Sequence, residues 1–171
     1  NGVPTRVSDD GRFKTFRDAH VGYQLRIPSQ WRLAQRHVRK FGAQRFAVPF
    51  VRYQRSYRGW TIRSSMHVLV REAAGQDVHG LWRSIYAHRR SQDPYMRVLR
   101  VIPFKHKGHQ ALIAIYQMRG GYGRVEQIRS FCVVANGRAY ELKARANARW
   151  RSPLWVEIGD IFKSFDLLTP R

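Results

Sequence analysis

The residues able to do chemistry in this chain are seven histidines, one cysteine, eleven carboxylates and a large excess of arginine. His20, His37, His67, His79, His88, His106 and His109 are scattered. His106 and His109, the closest pair, sit between and beside Lys105 and Lys107, with no carboxylate near in sequence. Cations repel a further cation, so this stretch reads as a solvated hairpin tip and not as a metal site. His67 alternates within a strand-like run and reads as a sheet histidine. Cys132 lies in the apolar run Phe131-Cys132-Val133-Val134, where a buried and inert thiol is expected. A single cysteine excludes an internal disulfide and a cysteine-rich zinc site.

The carboxylates have structural readings. Asp9 and Asp10 stand in a polar N-terminal segment, Asp77 is placed to cap a helix, and Glu157 and Asp160 fall in the last helical stretch. No pair is placed for general acid and base work. Gly120-Gly121-Tyr122-Gly123 joins two strand-like runs and opens no helix, so it lacks the context of a phosphate loop. The reading is a non-enzyme, with no catalytic residue, no cofactor and no metal.

What remains is charge. Lys and Arg total 32 against 11 Asp and Glu, a formal net charge of +21, and 26 of the 32 are Arg. From Ala19 to Arg71 there is no carboxylate in 53 residues, while eleven cations occur. Aromatics interleave with them: Trp31-Arg32, Arg36, Arg39-Lys40-Phe41, Arg45-Phe46, Arg52-Tyr53, Arg55, Tyr57-Arg58 and Trp60. Arginine binds carboxylate and phosphate in bidentate fashion and stacks on rings. Arg32, Arg36, Arg39, Lys40, Arg45, Arg52, Arg55 and Arg58 are therefore the expected partner-binding residues. The partners that fit are an acidic face of a membrane-protein complex or anionic lipid. Nucleic acid is the alternative, although no RNP-like, helix-turn-helix or zinc-finger pattern accompanies the charge.

These residues must be positioned by a folded domain, since 43% of the chain is hydrophobic and 13% aromatic. Residues 1–12 read as an exposed arm and 13–171 as one domain. A leading Asn1 fits a mature form after removal of a targeting segment. No run of about 20 apolar residues is present. Tyr23, Leu25 and Ile27 alternate with polar neighbours as a half-buried strand, broken at Pro28-Ser29-Gln30. Residues 45–54 and 60–71 are also strand-like. Val78, Leu81, Trp82, Ile85 and Tyr86 recur with helical spacing after the Asp77 cap. Four strands follow, at 95–104, 109–119, 124–135 and 138–147. Lys105-His106-Lys107-Gly108 joins the first two and Asn136-Gly137, a strong hairpin signal, the last two. The run 111–116 is apolar on both faces, as in a strand covered on both sides. Ser152-Pro153 opens a last helix whose stripe is Leu154, Trp155, Ile158, Ile161, Phe162 and Phe165. Short turns require antiparallel pairing, and two apolar helix stripes require a sheet to cover. The expected class is α+β, a central antiparallel sheet flanked by helices.

The segment Phe16 to Trp31 (FRDAHVGYQLRIPSQW) resembles the opening of PsbP-like and DcrB-like domains. In those, an aromatic and an acidic turn precede a Gly-aromatic strand that ends in Pro-Ser-Gly-Trp. Gly137 to Leu142 (GRAYEL) followed by a helix ending in Ile161 to Leu167 (IFKSFDL) is similar to their close, and Lys107-Gly108-His109-Gln110-Ala111 to their Gly-x-x-Ala strand start. Gln30 replaces the usual Gly, and the strong positive charge is a further departure. The resemblance implies an α/β/α sandwich in which Gly22, Tyr23, Pro28, Trp31 and Phe165 form the fold. It also implies an extrinsic accessory or assembly subunit, of a photosystem in the thylakoid lumen or of a bacterial envelope in the periplasm.

Overall fold

A computed structural model describes the backbone of residues 5–33, 39–40, 46–55, 61–120, 123–147 and 153–168, and the side chains of 10–33, 64–120, 123–146 and 154–168. The chain forms two compact units, Asn1–Arg32 with Arg151–Arg171, and Leu33–Trp150. Every strand pair whose register is described is antiparallel.

The first unit holds a four-stranded sheet in the order β1 (Thr5–Asp9), β2 (Phe13–Asp18), β3 (Tyr23–Pro28) and β12 (Asp166–Leu167). Helix α2 (Pro153–Ser164) packs on β3. Within the segment expected as an arm, Thr5–Asp9 pairs with β2 as an edge strand. The α2 stripe is buried throughout, from Leu154 to Phe165, as its spacing predicts. The proposed Ser152 cap lies outside the described residues. The positions that carry the resemblance have local reasons to be what they are. Gly22 takes φ of 79° in the β2–β3 turn. Tyr23 stacks on Phe165 with ring centroids 5.9 Å apart. The Trp31 N–H donates to the Pro28 carbonyl, closing the turn after β3, and the buried Trp31 ring donates Nε1–H to Glu157 at 2.9 Å.

The second sheet runs in the order β4 (Arg32–Leu33), β6 (Phe46–Arg55), β7 (Thr61–Glu72), β11 (Arg138–Asn147), β10 (Val125–Ala135), β9 (His109–Arg119) and β8 (Arg97–His106), with β5 (Arg39–Lys40) also paired to β6. A single central sheet was expected; the described strands form two. The reason is that β3 pairs with β2 and β12, which lie far from the meander in sequence. The Asn136-Gly137 hairpin forms as predicted, with φ of 52° and 72° at the two turn residues. The β8–β9 turn is shorter than expected. Lys105 and His106 continue the strand, and only Lys107 and Gly108 make the turn.

Helix α1 (Val78–Gln92) begins as predicted, with Asp77 accepting from the Gly80 N–H at 2.7 Å. It packs across β9 and β10. Val78, Leu81 and Ile85 join Leu112, Ala114, Tyr116, Ile128, Cys132 and Ala139 in one core cluster. The stripe is narrower than its spacing predicts. Trp82 is only partly buried and Tyr86 is 38% exposed. At the far end of α1, the buried Asp93 carboxylate accepts from the Tyr95 and Arg119 backbone N–H groups at 2.9 and 2.7 Å. Those two bonds hold Asp93 below the usual carboxylate range and tie the helix end to β9. Strand β9, read as covered on both sides, is covered more completely on one of them. Leu112, Ala114 and Tyr116 on the helix side are buried, while Ile113 and Ile115 on the other side are half-buried.

Candidate functional site

Two charged regions could serve a partner or ligand. The first is the acid-free stretch. Arg32, exposed, opens β4. Arg39 and Lys40 form β5, opposite Ala47 and Phe46 of β6. Arg52 and Arg55 lie in β6, opposite Ser64 and Thr61 of β7. The topology thus brings five of the eight predicted residues to strands at the edge of the sheet remote from β8. Arg36, Arg45 and Arg58 lie outside the described residues.

The second region was not singled out by sequence reasoning. It lies on the α1 side of the sheet, where β7 and β11 run beside the helix. Arg71, Leu69 and His67 of β7 stand opposite Ala139, Glu141 and Lys143 of β11. Side chains two apart on a strand share a face. Ala139 belongs to the α1 core cluster, so Glu141, Lys143 and Arg71 share the side that carries α1. From α1, Arg89 in the last turn reaches in.

The contacts form a chain. The Glu141 carboxylate accepts from the Ser130 hydroxyl at 2.7 Å, and the Ser130 and Tyr116 hydroxyls are 3.2 Å apart. Arg89 Nη2 stands 3.6 Å from the other Glu141 oxygen, with the two side chains 15% and 8% exposed. That is ion pairing at longer than hydrogen-bond length. Among the described residues, Arg71 Nη2 and Arg89 Nε are buried and have no hydrogen-bond acceptor.

This setting perturbs its neighbours. Burial first, and then the Glu141 charge, push the Tyr116 hydroxyl up to about 12. Burial first, then the Glu141 charge, push the Cys132 thiol well up, so the buried thiol expected from sequence is present. Burial and then the Arg89 charge bring the Lys143 ammonium down to about 8. Ser130 is fully buried with its proton committed to Glu141, a structural geometry and not that of an exposed nucleophile.

The histidines are dispersed. His106 faces His109 across the β8–β9 turn, and its ring meets Phe131 edge-on at 5.0 Å. Among the described residues, no three His, Cys, Asp or Glu side chains come together as metal ligands would. No helix among them is long and apolar enough to cross a membrane.

No protein-family model matches the chain, and no curated protein matches it in sequence. Solved structures match its fold. Cyanobacterial PsbP (CyanoP) from Synechocystis sp. PCC 6803 is 13% identical, with a TM-score of 0.63, over 97% of this chain and 99% of that one. The Ran-binding protein Mog1p of Saccharomyces cerevisiae is 9% identical, with a TM-score of 0.60, over 98% and 97%. LpqN of Mycobacterium tuberculosis, involved in cell envelope biogenesis, is 12% identical, with a TM-score of 0.60, over 99% and 93%. At these identities the likeness shows the fold alone: the α+β class read from periodicity, with helices packed on antiparallel sheet.

Proposed function

We propose that the chain is a non-catalytic accessory or assembly subunit that docks through its arginine-rich segment onto an acidic face of a large membrane complex. A photosystem is one such complex, and the thylakoid lumen or the bacterial periplasm the compartment. The observation that carries the reading is the 53-residue run from Ala19 to Arg71, which holds eleven cations and no carboxylate. A protein with a net charge of +21 repels its own copies and is drawn to acidic surfaces. The fold supports the reading by analogy. Mog1p is a Ran-binding protein, LpqN acts in envelope biogenesis, and PsbP gives its name to the domain type that the sequence resembles.

Anionic lipid beside the complex would strengthen such docking. Nucleic acid is the second reading, favoured by the aromatics interleaved with arginine between Trp31 and Trp60. Both would weaken as salt rises. A salt wash of native membranes, run in parallel with nuclease treatment, separates them. The accessory-subunit reading expects release by salt and none by nuclease. Release by nuclease alone moves the assignment to nucleic acid.

A further inference from the structure

We propose that the shelf of β7 and β11 beside α1 is an oxyanion site that takes a phosphate group between Arg71, Arg89 and Lys143, with Glu141 holding Arg89 in place. This site is distinct from the edge strands that carry the docking arginines, and it does not depend on that reading.

Three observations converge. First, the register places Arg71 and Lys143 on one face, two residues to either side of the Leu69–Glu141 pair. Arg71 is the diagonal neighbour of Glu141 and Lys143 lies two residues beyond Glu141 on the same strand, so two long cationic side chains flank that carboxylate from opposite ends. Second, three cations share one carboxylate, leaving a surplus of two positive charges that a phosphate dianion would match. Glu141 carries a single negative charge, one oxygen accepting from the neutral Ser130 hydroxyl and the other paired with Arg89 at 3.6 Å, so it offsets one of the three. Third, Arg71 Nη2 and Arg89 Nε are buried guanidinium donors without an acceptor among the described residues. Buried donors are paired in nearly all folded proteins, and arginine donors match phosphate oxygens in geometry as well as charge. The lowered affinity of Lys143 for its proton has burial and Arg89 as its two main causes, and a bound dianion would reverse it.

The surrounding surface is basic, so the test must read the site itself. Backbone amide resonances of the intact chain are followed while inorganic phosphate replaces chloride at constant ionic strength. The proposal expects saturable shifts centred on Leu69, Ser130, Cys132 and Glu141. Arg71→Gln and, separately, Lys143→Met should each weaken the apparent affinity about tenfold or more. Arg83→Gln, an exposed position of α1, should leave it unchanged. Because the wild-type shifts alone locate the ligand, a variant that fails to fold leaves the test intact. A second arm offers vesicles containing phosphatidic acid. Shifts at the same amides with vesicles and not with inorganic phosphate would assign the phosphate to a lipid headgroup at this site. Absence of shifts there in both arms, or shifts spread over the basic surface and unchanged in Arg71→Gln, would overturn the proposal.

Discussion

Ser130 donates its hydroxyl proton to Glu141 at 2.7 Å between adjacent strands, and both side chains are buried. That bond holds the carboxylate against the sheet, so that Glu141 meets Arg89 through its second oxygen alone. The one acid of the shelf is thereby fixed by a neutral neighbour and faces three cations.

Removing the Glu141 charge should therefore cost more than an ordinary surface substitution. Glu141→Gln keeps the shape and leaves Arg71, Arg89 and Lys143 uncompensated. Breaking a buried ion pair from one side costs about 3–5 kcal/mol. Urea unfolding in chloride buffer should show a loss of about that size with an unchanged m-value. A loss below about 1 kcal/mol would show that solvent already screens the cations.

Lys143 should make stability depend on alkaline pH. Its folded pKa of about 8 lies below the ordinary 10.5. Between those values the unfolded chain keeps the proton and the folded chain has released it, so raising pH favours folding. The cost of the buried ammonium is full below pH 8 and fades toward pH 10.5. Lys143→Met removes that cost at every pH. The stability gap between the variant and wild type should narrow by about 2–3 kcal/mol between pH 7.5 and 10. A gap that stays constant across that window would contradict the placement of Lys143.

Cys132 should be silent in the native state. It is fully buried and its thiol is held neutral by burial and by the Glu141 charge. A thiol reagent should label it at the rate of opening, with little gain when the pH is raised to 9. Labelling within mixing time without denaturant would show an open path to the sulfur.

Much of this architecture was legible because its signals are local. The Asp77 cap and Gly80 lie three residues apart, Asn136-Gly137 sits between two alternating runs, and the α2 stripe repeats within twelve residues. The two sheets were not legible. Strand β12 is two residues long and pairs with β3 across more than 140 residues, which no window of sequence reveals. The exposure of Tyr86 was missed because helical spacing gives the direction of a face and not the width of the surface it covers. The polar shelf was missed for a related reason. Arg71, Arg89, Ser130, Glu141 and Lys143 come from four separate elements, and each looks ordinary alone. One signal was available. Glu141 and Lys143 flank Leu142 in a strand, so both must share a face with whatever β7 places opposite.

The measurement that bears most directly on the docking account is co-purification of charge variants with native membranes. In one variant Arg32, Arg39, Arg52 and Arg55 become Gln. In a second, Arg83, Arg90, Arg97 and Arg100, all exposed and outside the acid-free segment, become Gln. Each loses four positive charges, so any nonspecific attraction falls equally. Exposed ion pairs contribute only about 0–1 kcal/mol each, so several must act together and four removals should be felt. The account predicts that the first variant leaves the membrane fraction at low salt, while the second remains bound and is released only at the salt that releases wild type. Equal loss of both variants, or loss of the second alone, would contradict docking through the segment from Ala19 to Arg71.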